Sequence, residues 1–460
     1  MSTTSTPEPA AGGVAPRRIA KLYARETALY AARRPRSAAL AAGAESGYYA
    51  GVPLHWMLDW ELPFPPVVAH ASGATLTDID GLELADFCLG DTAAMFGHSP
   101  PAVVRALTTQ ASQGLAYMLP TEHALSVGAL LRERFGLPHW QVATTASDAN
   151  RFALRIARGV TGRGRILVFN GCYHGAVDET YVGLEGGRAV NRPGLIGQHL
   201  DLSDATRITE FNDLPALERA LADREVACVI TEPVLTNCGM VLPEAGFHAG
   251  LRRLTRDTGT LLLIDETHTI SSGPCGYSGL HGLEPDLFVL GKPIAGGVPA
   301  SVWGFSAEVA RGWDRIRRTK PAGHSGLGTT LSANALAMAA MHAVLTEVMT
   351  PAAYAHMERL ALRLATGLAA AITAAALPWH VVRAGARVEF VCAPGLLRNG
   401  SEAAGAQVPA LERAIHIALL NRGCLIAPFH NMLLVCPATS AADVERLVAA
   451  FAAVAAELSG

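Results

Sequence analysis

A two-domain α/β protein, with a large domain built on a mostly parallel central sheet and a smaller α+β domain, is the fold the sequence predicts. Three observations carry this. The chain has 460 residues, whereas single hydrophobic cores stop growing at roughly 250–300. Its middle part, from about residue 100 to 310, alternates short apolar runs with helical segments, the pattern of a sheet covered on both faces. The last 129 residues or so, about 332–460, mix long helical stretches with a few strand-like runs, which fits a smaller α+β unit.

The elements follow in order. Residues 1–15 read as a flexible tail without the apolar core of a signal peptide. Residues 16–44 are rich in Ala, Leu, Arg and Glu and favour helix. A connector follows over 46–66, and the segment 16–76 is expected to belong to the small domain. ATLTDIDGLELADF, 74–87, gives two strand-like runs about an Asp80-Gly81 turn. The large domain is expected over 77–331. Its strand candidates are 141–145, 166–169, 226–231, 261–265, 287–290 and 302–305, with helices at 150–159 and 244–258 between them. Beyond it a helical stretch runs from about 332 to 375, then strands at 381–392 and 433–436 and helices at 408–421 and 441–458.

Composition narrows the function classes. Half the residues are hydrophobic and 17% are charged, as in a folded protein rather than a disordered one. A formal charge of −3 gives no electrostatic reason to expect a nucleic-acid or anionic-membrane partner. No apolar run reaches the roughly 18–20 residues of a membrane span. The eight cysteines form no C-x-x-C pair and no zinc-ligand spacing, so no metal is expected and a reducing, cytoplasmic setting is.

Chemistry gathers at the carboxyl ends of the candidate strands, where ligands of open α/β sheets bind. In LLLIDETHT, Asp265 follows four apolar residues; in VLGKPIAGG, Lys292 follows another apolar run and precedes Gly296-Gly297. An Asp after a strand is often just a turn or a helix cap. A lysine delivered by a buried strand is less ordinary, because a buried ammonium needs a partner or a lowered pKa. An aldehyde cofactor that condenses with the amine supplies a reason. Pyridoxal 5′-phosphate also needs a carboxylate at its ring nitrogen to act as an electron sink. Asp265 and Lys292 fit those two roles.

Two more segments join them. VATTASDANRFALRIARG leads from a strand into a helix, and its Thr145-Ala146-Ser147 turn exposes backbone N–H groups at a helix N-terminus, where phosphate binds. Ser147 or Asp148 acting only as an N-cap is the plainer alternative. In FNGCYHGAVDET, Tyr173 is either a core aromatic or a ring stacked on a flat cofactor, and His174 has no second histidine nearby to make a metal site.

With TTASDANRFALRIARGVTGR, FNGCYHG, TEPV, LIDETHT, PDLFVLGKPIAGG and TTLSANALAMAA in order, the chain resembles the class III (subgroup II) pyridoxal-phosphate-dependent aminotransferases of fold-type I. Within them it looks most like glutamate-1-semialdehyde aminomutase and the β-amino-acid transaminases. The resemblance covers roughly residue 74 to the C-terminus. It implies that Lys292 is the Schiff-base lysine and proton shuttle, and that Asp265 is the pyridinium partner. Thr145, Ala146 and Ser147 take the phosphate-cup turn, without its usual glycine. Tyr173 takes the stacking position with His174 beside it, and Glu232 is the family's glutamate near the site. Thr267 replaces the usual valine behind the ring, and His268 a Met or Gln near the cofactor's 3′-oxygen. Thr330 matches the threonine that reaches the neighbouring subunit's phosphate, which implies a homodimer with shared sites.

The departures concern the substrate. Relatives usually hold a substrate carboxylate with an arginine, but GVPLHWMLDW and APFHNMLLVCP contain none. Trp56, Asp91 and Phe429 are therefore expected to line a pocket for an apolar or amine-bearing substrate, unless Arg383 or Arg387 takes the carboxylate. The function expected is an aminotransferase passing an amino group from an amine or amino acid donor to a carbonyl acceptor. The alternative is an isomerase (aminomutase or racemase) that needs no second substrate, or a lyase. A cofactor-binding relative without catalysis is disfavoured by the retention of both Lys292 and Asp265.

Overall fold

The computed structural model describes residues 12–43, 47–427 and 429–460. Contacts divide the chain into two units. One is Thr92–Ala355 with Leu397–Gly405; the other is Met1–Asp91, His356–Leu396 and Ala406–Gly460.

The larger unit is built on a seven-stranded sheet. Its strands are β1 (His139–Ala143), β2 (Arg165–Phe169), β3 (Thr206–Thr209), β4 (Val226–Thr231), β5 (Leu261–Asp265), β6 (Leu287–Leu290) and β7 (Ser301–Phe305). They lie in the order β1-β7-β6-β5-β4-β2-β3. The pairs β2–β3, β2–β4, β4–β5 and β5–β6 are parallel, and β7 runs antiparallel to both its neighbours. Alternate side chains go to opposite faces. Leu263, Val289 and Trp303 pack on one face with Phe152 and Ile156, whereas Leu262 and Ile264 pack on the other with Phe169, Phe211 and Phe247. Each such buried side chain contributes about 1.5–3 kcal/mol.

Helix α1 (Ala146–Thr161) leaves the end of β1 and lies on the first of these faces, burying Ala149, Phe152, Ala153, Ile156 and Ala157. The sequence places this helix at 150–159; its true start is four residues earlier because the Thr145 side chain caps it, accepting from Asp148 N. β3 is absent from the expected strands. Ala335–Ala343, expected in the C-terminal domain, packs against Pro101–Ala111 and Glu122–Phe135 and so falls in the larger unit.

The other unit contains the expected hairpin, Thr75–Asp78 against Glu83–Asp86, with Val68–Ser72 and Cys424–Leu425 completing its sheet. Asp78 Oδ1 accepts from the Asp80 and Leu82 amides and so shapes the turn. A second sheet joins His380–Ala384, Arg387–Val391 and Met432–Leu434. Helix Pro16–Arg33 packs on Pro409–Asn421. The tail expected over 1–15 lies largely outside the described residues; its described end is tied down, with Val14 buried and Trp379 Nε1 donating to the Gly12 carbonyl at 2.7 Å. Among the described residues no single helix is long and apolar enough to cross a membrane.

Candidate active site

Asp265 closes β5 and is 4% exposed. Its Oδ2 accepts from Asn150 Nδ2 at 2.9 Å and pairs with His174 Nδ1 at 3.0 Å, while Oδ1 accepts from the Thr267 amide at 3.1 Å. Burial alone would raise this carboxyl. The bonds from His174, Thr267 and Asn150 outweigh it and hold the group well below the ordinary carboxylate value. For His174, burial would favour the neutral ring, yet its bonds to Asp265 and Cys172 push the imidazole well above its ordinary value. The pair is thus a buried imidazolium and carboxylate, fixed from a third side by Asn150, whose Nδ2 also donates to the His174 carbonyl at 3.0 Å.

Lys292 follows β6 through Gly291 and opens a short turn, Lys292–Ala295. Its φ is +44°, in the left-handed region that costs a non-glycine residue about 1–3 kcal/mol. Nζ of Lys292 lies 2.6 Å from Nε2 of His268. The two segments are clipped together: Glu266 N donates to the Val289 carbonyl at 2.8 Å, and Gly291 N donates to Thr267 Oγ1 at 3.2 Å.

At the head of α1, the first N–H groups have no intrahelical acceptor and carry the positive end of the helix dipole. Thr145 is the cap, and its hydroxyl is engaged with Asp148, donating to Oδ2 at 3.0 Å. Ser147 Oγ accepts from Ala176 N at 2.9 Å, which joins this turn to the loop carrying His174. Close approach here requires glycine. Gly175 has φ +78°, and a Cβ on it would stand 2.2 Å from Ser147 Oγ; a Cβ on Gly291 would stand 2.7 Å from that of Ala146. Ala146, Ser147, Gly175 and Gly291 therefore crowd around the start of one helix.

Glu232, just past β4, is 2% exposed. Burial pushes its carboxyl up, and Thr236 and Asn237 bond it, the latter at 3.1 Å. Tyr173 is half-buried between Cys172 and His174. Thr330 is exposed in a turn, and its neighbour Thr329 meets the Thr144 hydroxyl at 3.1 Å. In the other unit, Trp56 and Phe429 form an edge-on aromatic pair with ring centres 6.2 Å apart. Asp91 is half-buried with φ +50°. Arg387 is fully buried on its strand, and Arg383 Nη1 donates to the Gly385 carbonyl at 2.9 Å.

Two features of the site are not evident from the sequence pattern. Asn150 is fully buried; the signal was an amide on the stripe it shares with Ala153 and Ala157, at helical spacing. Gly175 stands in FNGCYHG, but its tight fit against Ser147 shows only in three dimensions.

These groups fit pyridoxal phosphate: an ionised buried carboxylate for the ring nitrogen, an amine on a strained turn, and open N–H groups at a helix start flanked by glycines. The family model for class-III aminotransferases matches residues 57–453. Glutamate-1-semialdehyde 2,1-aminomutase from Anaeromyxobacter sp. (strain Fw109-5) is 35% identical over 401 residues, 85% of this chain and 91% of its own. The crystal structure of a glutamate-1-semialdehyde-aminomutase from Pseudomonas aeruginosa PAO1 is 50% identical, covers 97% of this chain and all of its own, and superposes with a TM-score of 0.95; its lysine-to-alanine variant is solved in complex with PMP. An ω-transaminase from Sphaerobacter thermophilus is 30% identical, covering 92% of this chain and 98% of its own, with a TM-score of 0.84. From its strand-end chemistry and from these matches alike, the chain belongs to the class-III aminotransferase family of pyridoxal-phosphate enzymes.

Proposed function

We propose that the chain is a pyridoxal-phosphate isomerase of the aminomutase kind, which shifts an amino group between neighbouring carbons of one small molecule. When bound, the cofactor supplies an aldehyde for amines and a protonated ring that takes up electrons. The rest is the work of the chain. Asp265, ionised and held by His174 and Asn150, keeps a proton on the ring nitrogen. The head of α1 and Ser147 hold the phosphate, an arrangement worth about 0.3–1 kcal/mol from the helix dipole alone. Tyr173 orients the ring. Lys292 Nζ is the base that takes a proton from the amine-bearing carbon and sets it down again.

The observation that carries the cofactor reading is that the buried Asp265 ends β5 while Lys292 follows the neighbouring parallel strand β6 through Gly291. Return of the nitrogen to the same molecule is favoured by the aminomutase at 50% identity over nearly the whole of both chains. This displaces plain transamination as the leading reading. Transamination remains the second, supported by the ω-transaminase likeness and by the lack of arginine in 51–60 and 427–437. The proposal also takes the protein as a homodimer and as cytoplasmic, the latter in keeping with eight free cysteines.

The test is turnover of glutamate 1-semialdehyde and of a panel of amines and amino acids, with and without a keto acid. Product release without an acceptor supports the isomerase. Strict dependence on the acceptor, with conversion of the cofactor to its amine form, overturns it in favour of transamination.

A further inference from the structure

A cavity of about 640 Å³ opens between helix Phe247–Thr258, the short helix Gly276–His281 and the face of β5 that carries Leu262 and Ile264. Small-molecule sites span roughly 300–1,000 Å³, so its size suits a ligand. Among the described residues that line it, none belongs to the cofactor site. Leu251, Leu262 and Ile264 give it a buried apolar floor. Tyr277 stands over that floor, stacked on His281 with ring centres 4.0 Å apart and edge-on to His248 at 6.1 Å.

The walls are fixed before anything binds. His248 Nε2 bonds the Pro233 carbonyl at 2.8 Å, and Tyr277 N donates to Glu266 Oε2 at 3.1 Å. Arg252 holds Asp286 through both terminal nitrogens, at 2.7 and 2.8 Å. A preformed cavity spares a ligand most of the ordering cost of binding.

His248 supplies the polar point. A carbonyl only accepts, so Nε2 carries the ring hydrogen and Nδ1 is left as an acceptor. Burial lowers this imidazole to about 4, which keeps the ring neutral at neutral pH. Among the described residues no donor meets Nδ1. The charged groups around the cavity are matched among themselves: Arg252 with Asp286, Arg253 with Asp257 at 3.5 Å, Arg256 with Glu284, and Glu244 with Arg398 at 2.7 Å. A charged ligand would therefore gain no unmatched partner and would lose its hydration.

We infer that this cavity is a binding site for a small neutral aromatic molecule carrying one O–H or N–H, its ring set against Tyr277 and the apolar floor and its hydrogen donated to Nδ1 of His248. The site is separate from the cofactor reading and does not depend on it.

The experiment titrates the cofactor-loaded protein with phenol, and with anisole, which has the same ring without the donor, by isothermal calorimetry at pH 7. Two variants accompany the wild type. His248→Gln keeps an amide to reach the Pro233 carbonyl but has no counterpart of Nδ1. Ala249→Trp, at an exposed position on the lining, fills the cavity. Phenol is expected to bind the wild type with a Kd of about 1 mM, and anisole about fivefold more weakly, the loss of one neutral hydrogen bond. His248→Gln should weaken phenol by the same factor and leave anisole unchanged, and Ala249→Trp should abolish both. No saturable binding of phenol below about 10 mM overturns the site, and so does binding that neither variant alters. Equal affinity of the wild type for phenol and anisole overturns the role of His248, with no variant needed.

Discussion

Asp265 and His174 form a buried ion pair, Oδ2 to Nδ1 at 3.0 Å, across 91 residues of sequence. Removing one partner of a buried pair costs about 3–5 kcal/mol, because the remaining charge is left uncompensated. His174→Ala should therefore destabilise the protein by that order, measured by urea unfolding. The raised imidazole sets the sign with pH. Its stabilisation is complete below its ordinary value of 6.5 and is lost as pH climbs through about 10. The gap between wild type and variant should narrow from about pH 6.5 upward. On the acid side, the Asp265 contribution is present above 3.8 and is lost as pH falls through about 2.

Lys292 is held in a strained left-handed conformation. Lys292→Gly should relieve that strain and raise the unfolding free energy of the cofactor-free protein by about 1 kcal/mol or more. Its turnover should fall by at least about 10³-fold, since the base and the cofactor's anchor are lost together. Differential scanning calorimetry and steady-state assays check the two halves separately.

Gly175 leaves room for Ser147. Gly175→Ala must shift that hydroxyl and adopts an unfavourable φ, at a cost of about 1–2 kcal/mol. Because a hydrogen bond to a charged group contributes about 1.5–3 kcal/mol, its displacement should weaken cofactor binding at least about tenfold. Equilibrium dialysis against pyridoxal phosphate measures this.

Thr267 Oγ1 receives the buried Gly291 amide. Thr267→Val removes the acceptor and strands an N–H, an effect of about 1–3 kcal/mol. The expected result is lower thermal stability with the Asp265 pair intact. An unchanged melting temperature would mean that the clip between the two strand ends contributes nothing.

Much of the site was legible because it lies where apolar runs stop. Residues 226–231, 261–265 and 287–290 are continuous buried strands flanked by helices, so Glu232, Asp265 and Lys292 stand out at their ends. The short strand Thr206–Thr209 is not legible because its four residues, two threonines, an arginine and an isoleucine, carry little apolar signal at a sheet edge. Asn150 escaped because its partner is 115 residues away, a relation that no local pattern encodes. The meeting of His268 with Lys292 lies between these cases. Both residues were visible, but their contact follows from strand register, a constant offset of 24 residues.

The claim on which the account depends most is that Lys292 binds the cofactor covalently. Borohydride reduction of the loaded protein followed by peptide mapping should place the phosphopyridoxyl group on Lys292 alone, and Lys292→Ala should abolish the label. Labelling at Lys21 or Lys320, or full labelling of the variant, would contradict it.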